Sequence, residues 1–198
     1  MGIKGEMAEQ ADYSIVATPG GTAVLRGIGV LACLAIMALA NGRVRGADTE
    51  HQVKGGYLYN FTKFVDWPSN AFANPDTPIV IGILGEDPFG RQFDEAMKTE
   101  TSKGRRLEVR RCKDAADAGR VHILFIPASE NARLPAILEA LEGRSILIVG
   151  ESDGFTLRGG HIGFFIEDGK VRFEINQDAA KRAKLKISSD LLNLARNR

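Results

Sequence analysis

The stretch IVIGILGEDPFG, residues Ile79 to Gly90, decides the class of the fold. Its first six residues form a short run without a polar side chain, which is typical of a strand covered on both faces. Asp87 and Pro88 are predicted to be the N-cap and the first residue of a helix. A buried strand that leads into a helix predicts an α/β fold with a parallel sheet.

The same alternation continues on both sides of this stretch. A capping-box pattern at Thr49 and Gln52 predicts an earlier helix whose apolar stripe ends near Pro68. Further strands are predicted at Leu107–Val109, Val121–Ile126 and Ser145–Val149, and further helices after Asp87 and at Leu134–Leu141.

The end of the domain follows another pattern. The runs His161–Ile166 and Lys170–Ile175 flank Asp168-Gly169, which is a strong signal for a hairpin turn. Two short helices are predicted after it. We therefore expect a single-domain α/β fold, a mixed sheet flanked by helices, with a C-terminal antiparallel β-hairpin at the edge.

Residues 1–47 are predicted to be a signal-peptide region with an extended N-terminus, and residues 48–198 to be the mature domain. Arg26 precedes the apolar run Gly27–Ala40, which is shorter than the roughly 20 residues that a membrane span needs. Small residues follow this run, as at a cleavage site. An uncleaved anchor is the alternative. Export from the cytoplasm is therefore predicted.

Charge and cysteine content narrow the function. The chain has 26 basic and 25 acidic residues, so the basic excess that nucleic-acid binding requires is missing. Removal of residues 1–47 leaves one cysteine, Cys112, which excludes a disulfide within the mature domain. This thiol is predicted to be buried and inert, with pairing to another chain as the alternative.

No cofactor is predicted. The glycines of the opening stretch stand at 82, 85 and 90, which is not the G-x-G-x-x-G spacing of a dinucleotide site. A P-loop would need Gly-Lys-Ser/Thr, and Arg91-Gln92 stands there instead. The Asp87 carboxylate would also occupy the N–H groups that a phosphate would use.

No catalytic or metal site is predicted either. Gly150–Gly154 matches the G-x-S-x-G pattern of a nucleophile elbow, but a Gly-rich segment follows it rather than a helix. The following histidine, His161, is too close in sequence to come from a separate loop. The histidines show no ligand spacing. We expect a protein that is not an enzyme.

Six motifs in one order resemble the YfiR family of periplasmic proteins. They are VKGGYLYNFTKFVDWP, IGILGEDPFG, VHILFIPAS, SILIVGESDGF, GGHIGFFIEDGKVRFEIN and AAKRAKLKISSDLLNLA, and together they span nearly all of residues 51–196. The resemblance implies a regulator that binds the periplasmic portion of an inner-membrane diguanylate cyclase and represses it. Cyclic-di-GMP and biofilm formation would then stay low. It also implies that an OmpA-like outer-membrane lipoprotein sequesters the repressor.

One departure from the family concerns the cysteines. Many relatives carry a cysteine just before the His-Ile-Leu-Phe segment, where this chain has Val121, so their redox-linked stabilisation does not transfer to Cys112. A homodimer remains open. The alternative function is a periplasmic small-ligand sensor or solute-binding module.

The partner-binding surface is predicted at the edge hairpin. Alternation along Lys170–Ile175 predicts that Val171, Phe173 and Ile175 face inward and that Arg172, Glu174 and Asn176 face solvent. The other arm is apolar on both faces, and exposed apolar patches mark partner sites. The predicted partner-binding residues are Phe155, Ile162, Phe164, Arg172 and Glu174. Coverage of the hairpin by the C-terminal helix is the alternative.

Overall fold

A computed structural model describes residues 47–196, which form a seven-stranded sheet between two layers of helices. The strands are β1 Val65–Asp66, β2 Ile79–Leu84, β3 Thr101–Ser102, β4 Arg105–Cys112, β5 Ile123–Ile126, β6 Leu147–Gly150, β7 Ile162–Glu167, β8 Lys170–Ile175 and β9 Lys186–Ile187. The helices are α1 Ala47–Phe64, α2 Gly90–Thr99, α3 Leu134–Ala140, α4 Gln177–Arg182 and α5 Ser189–Leu194. Short 3-10 helices cover Ser69–Ala71, Asp117–Arg120 and Ala128–Arg133.

The sheet order is β3-β4-β2-β5-β6-β7-β8. The five central strands β4, β2, β5, β6 and β7 are parallel, and β3 and β8 add antiparallel edges. After β2 the chain moves to one side, to β4, and then to the other side through β5, β6 and β7. Such a doubly wound order confirms the predicted mixed α/β sheet with an antiparallel hairpin at its edge. The short strands β1 and β9 pair separately.

Alternation along β2 explains why helices cover both faces. Ile79, Ile81 and Ile83 belong to one apolar cluster, which also contains residues of α1 and α2. Val80 and Leu84 belong to a second cluster, which contains residues of α3. We call these the α1 face and the α3 face of the sheet. Burying each such side chain contributes about 1.5–3 kcal/mol, so this one strand stabilises both layers.

Two helix starts differ from the predictions. The first helix begins at Ala47, two residues before the predicted Thr49. The second begins at Gly90, with Phe89 as its N-cap. The predictions of Asp87 as the N-cap and of Pro88 as the first helical residue are therefore wrong. Asp87 Oδ1 accepts the Phe89 N–H at 2.8 Å, which forms a local turn before the helix. The reason for this position is a non-local contact, because Asp87 Oδ2 pairs with Arg111 of the neighbouring strand.

Cys112 ends β4 and lies on the α3 face with 1% of its surface exposed. Burial raises the pKa of the thiol, so the reactive thiolate is disfavoured. The prediction that this residue is buried is confirmed. The predicted signal-peptide region lies outside the described residues except for Ala47, which opens α1. Within residues 47–196, no helix combines the length and the apolar character that crossing a membrane demands.

Candidate partner-binding surface at the edge hairpin

The hairpin of β7 and β8 closes one edge of the sheet. Its turn residues Asp168 and Gly169 have φ angles of 51° and 70°, the left-handed conformation that a two-residue type I′ turn requires. The cross-strand pairs Ile162–Ile175, Phe164–Phe173 and Ile166–Val171 follow from this turn and share one face.

This paired apolar face lies beneath α1. The Tyr57 ring is centred 5.8 Å from Phe164 and 5.3 Å from Phe173, and the Phe61 ring is 5.9 Å and 5.4 Å from the same two rings. Ile162 and Phe164 are accordingly buried. The C-terminal helix covers part of the hairpin, as the alternative prediction held, because Leu191 of α5 belongs to the same apolar cluster.

The opposite face of the hairpin is covered by the segment between β6 and β7. Phe155 lies between Gly150 and Gly160, and a Cβ atom at either glycine would come within 2.2 Å of its ring. The Phe155 ring fills the space that a side chain at either glycine would occupy, and the residue is therefore only 1% exposed. Thr156 follows and lies over Gly163 of β7, with its Cγ2 3.3 Å from where a Cβ would be.

Glu174 is buried under this same segment, at 7% exposure. Its carboxylate accepts a hydrogen bond from the Thr156 hydroxyl, and Asn176 Nδ2 donates to the Thr156 carbonyl at 2.9 Å. The expectation that Glu174 faces solvent is therefore wrong, and Asn176 is half-buried rather than fully exposed. The alternating pattern marks two faces of a strand, but a polar face covered by a polar loop leaves the same pattern as one covered by water.

Arg172 is the predicted site residue that the structure leaves exposed. The other four, namely Phe155, Ile162, Phe164 and Glu174, are in the interior behind it. Arg172 is thus the one of these five residues that is accessible from solvent in this conformation. The partner-binding role of the five residues stays a prediction.

Large exposed apolar side chains gather around this hairpin. Among the described residues, three are more than half exposed: Leu157 in the covering segment, Ile166 in β7 and Leu194 in α5. Sequence analysis missed Leu157 and Leu194. The signal for Leu157 was a lone leucine within a Gly-rich segment, whereas Leu194 lies on the same helix as the core residue Leu191.

The outer edge of β8 is partly occupied by the end of the described chain. The Arg196 N–H donates to the Phe173 carbonyl at 2.9 Å, and the Arg196 guanidinium lies 5.0 Å from the centre of the half-buried Phe165 ring. The same guanidinium is 3.5 Å from Glu167. The hairpin end thus combines backbone groups of an edge strand with basic and apolar side chains, which is suited to contact with another chain.

The G-x-S-x-G segment does not assemble into a nucleophile elbow. The Nδ1 atom of His161 accepts the Ile148 N–H at 3.0 Å, and the ring also bonds to the backbone of Ile146, so its nitrogens are engaged away from Ser152. Burial, aided by Arg182, lowers the pKa of His161 to about 4. In residues 47–196, no three His, Cys, Asp or Glu side chains are grouped as metal ligands.

The fold and this surface define a doubly wound α/β domain with an edge hairpin whose exposed features suit protein contact. Residues 51–196 match the model of the YfiR/HmsC-like family, and the chain belongs to that family. Proteins of this family are periplasmic and regulatory rather than catalytic. Comparison with curated proteins gives no match.

Proposed function

We propose that this protein is a periplasmic repressor that binds the periplasmic domain of an inner-membrane diguanylate cyclase. It would thereby lower cyclic-di-GMP and biofilm formation. Membership of the YfiR/HmsC-like family over residues 51–196 is the observation that supports this proposal most directly. An OmpA-like outer-membrane lipoprotein is the proposed antagonist, and a homodimer is the proposed assembly.

The contact surface in this proposal is the exposed end of the hairpin. Arg172, Ile166 and Leu194 are exposed there, and Tyr57, Glu167 and Arg172 line a small groove beside Leu194. Arginine and apolar side chains together are the usual composition of the central part of a protein interface. The buried Ile162, Phe164 and Glu174 fix the strand geometry on which this surface depends.

The test is the double substitution Arg172→Glu with Ile166→Asp, which changes exposed side chains and leaves the core intact. We expect the variant to keep its melting temperature and to lose about 100-fold or more in affinity for the cyclase's periplasmic domain, since hot-spot residues contribute 2 kcal/mol or more each. Cellular cyclic-di-GMP should rise. Surface plasmon resonance and nucleotide quantification measure the two effects.

The control is Arg91→Glu, the same substitution as at Arg172 but on the exposed surface of α2, a helix that contacts β4. In the sheet order β4 is far from β8. It should bind and repress like the unchanged protein. A hairpin variant that folds normally and still represses would remove this surface from the proposal. Loss of repression in both variants would indicate a general effect of charge instead.

Export is proposed separately, from the apolar run Gly27–Ala40 that follows Arg26. Mass spectrometry of a periplasmic extract should find a mature N-terminus between Asn41 and Asp48. An intact Met1 recovered from the cytosol would contradict this part of the proposal.

A further inference from the structure

A basic groove runs along the amino end of the parallel sheet, on the α3 face. Its volume is about 800 Å³, and it is lined by the starts of β2 and β5, by β4 and by the loop before β6. Four cations line it: Arg110, Arg120, Arg144 and Lys184. Glu108 is the one carboxylate among the lining residues, so the lining carries an excess of positive charge. We call this the amino-end groove.

Arg144 is seated in the groove by two glycines. Gly143, with a φ angle of 74°, turns the chain after α3, and the Arg144 N–H donates to the Leu141 carbonyl at 3.2 Å. The guanidinium then lies against Gly119, where a Cβ atom would be 2.4 Å from Nη1. The guanidinium therefore occupies the space that the absence of a side chain at Gly119 leaves open.

Lys184 reaches the groove from an unfavourable backbone conformation. It follows α4 with a φ angle of 60°, its N–H donates to the Lys181 carbonyl at 2.9 Å, and the Leu185 N–H donates to the Ala180 carbonyl at 3.0 Å. This pair of bonds is a Schellman motif, and glycine is the residue favoured at its left-handed position. A lysine at this position gives up backbone stability, and it adds a basic residue to the lining of the groove.

These four cations are not neutralised by their surroundings. Within residues 47–196, no ion pair within 4.0 Å involves Arg110, Arg120, Arg144 or Lys184. The neighbouring Arg111 differs, because it pairs with both Asp87 and Asp94. Unpaired cations around one groove attract an anion, and guanidinium groups match the geometry of phosphate oxygens.

Part of the groove is lined by apolar side chains. Val80, Val121 and Ile146 are buried residues that line it together with the cations. A ligand that fits therefore has an anionic group and an apolar or neutral body. The positive excess matches a phosphate dianion better than a single carboxylate. The volume is within the range of small-molecule sites.

We propose that the amino-end groove is a binding site for a phosphate-bearing ligand, held by Arg110, Arg120, Arg144 and Lys184. The phosphate can belong to a soluble phosphate ester or to a lipid head group. This inference does not rest on the proposed repressor function. It concerns the purified protein alone, so its failure would leave the hairpin proposal unaffected.

Isothermal titration in low-salt buffer with glycerol 3-phosphate is the first test. We expect binding that weakens as salt is raised, and about tenfold weaker binding for Arg144→Gln, because one charge-assisted contact is lost. Lys184→Gly is the sharper variant. It should keep or raise the melting temperature, because glycine suits the left-handed position, and yet bind about tenfold more weakly.

The matched control is Arg106→Gln, which removes an exposed cation from the same strand as Arg110 but does not line the groove. It should bind like the unchanged protein. Co-sedimentation with phosphatidylglycerol vesicles, compared with phosphatidylcholine vesicles, distinguishes a lipid head group from a soluble ester. Binding to neither probe, or binding by Lys184→Gly and Arg144→Gln that is as tight as that of the unchanged protein, would overturn the proposal.

Discussion

The two ends of the parallel sheet are held in different ways. At the amino end, neutral histidine rings bond to backbone groups of neighbouring strands. At the carboxyl end, charged side chains pair with one another across elements. The comparison shows that one sheet can depend on proton-sensitive contacts at one end and on ion pairs at the other.

At the amino end, the same bond between a histidine ring and a backbone N–H occurs twice. His122 and His161 each come directly before a parallel strand, and each ring accepts a backbone N–H at its Nδ1, from Val80 and from Ile148, at 3.0 Å in both cases. Both rings are 5% exposed, and burial lowers the pKa of each. The neutral ring can accept these bonds because one nitrogen carries no proton.

The carboxyl end centres on Lys54 of α1, a lysine that is 4% exposed. Its ammonium group pairs with Glu50 one turn earlier and with Glu151 after β6, the latter at 2.5 Å. Glu151 also accepts the Ala128 N–H at 3.0 Å. The first helix and the ends of two strands are thus connected through one buried cation.

The largest effect is expected at the carboxyl end. Lys54→Met leaves two carboxylates without their cation, and breaking a buried pair costs about 3–5 kcal/mol of unfolding free energy. Urea unfolding measures the loss. Adding Glu151→Gln should restore part of it, because an amide oxygen still accepts the Ala128 N–H. Equal stability of Lys54→Met and the unchanged protein would show that this cluster does not hold the sheet.

At the amino end, acid should lower the free energy of unfolding by an amount similar to that expected for Lys54→Met. The pKa of His161 is about 4 in the folded protein and 6.5 ordinarily, so between these pH values the unfolded chain binds a proton that the native state does not. Neutral His161 contributes about 3 kcal/mol to the free energy of unfolding. This contribution is complete above pH 6.5 and is lost as pH falls towards 4. His122 adds to the loss in the same direction.

Urea unfolding at pH 7 and at pH 4.5 measures this dependence, and His161→Phe provides the control. That variant should lose a large part of the difference in unfolding free energy between the two pH values. If it kept the full difference, the acid sensitivity would belong to other groups, and the contrast between the two ends would fail.

Removing a ring acceptor at neutral pH should have a smaller effect. His122→Phe retains a planar ring for stacking on Phe72, whose centroid is 4.5 Å away, but leaves the Val80 N–H without its acceptor. We expect a loss of about 1–3 kcal/mol in unfolding free energy. Hydrogen exchange should also accelerate at the Val80 amide. Unchanged exchange at this amide would argue against the histidine bond.

The smallest effect is expected for the exposed pairs of the carboxyl end. Arg111 bonds to Asp87 and Asp94, but about a third of its side chain is exposed. Arg111→Gln should therefore cost less than about 1 kcal/mol, with a smaller cost at high salt. If Arg111→Gln lowered the free energy of unfolding as much as Lys54→Met, burial would not explain the difference between exposed and buried ion pairs.

Local signals in the sequence were sufficient for the longer strands and helices of this fold, but not for the two-residue strands β1, β3 and β9. The apolar run at Ile79–Leu84 predicted a strand covered on both faces, because alternate residues must both find apolar neighbours. Asp168-Gly169 predicted the hairpin, because few residues tolerate the left-handed conformation of its turn. The start of α2 was not determined by local signals. Asp87 had the chemistry of an N-cap, but Arg111 of another strand competed for its carboxylate.

Only the tertiary structure decided which side chains are accessible. Alternation in β8 predicted two faces correctly, but Glu174 lies under Thr156, which the chain brings back over that face. Lys54 likewise meets Glu151, which is 97 residues away. Strand and turn formation depend on neighbours within a few residues, and the sequence by itself determined them. Burial and charge pairing depend on which distant segments pack together, so the folded chain alone decided the contact surface, the buried cation and the basic groove.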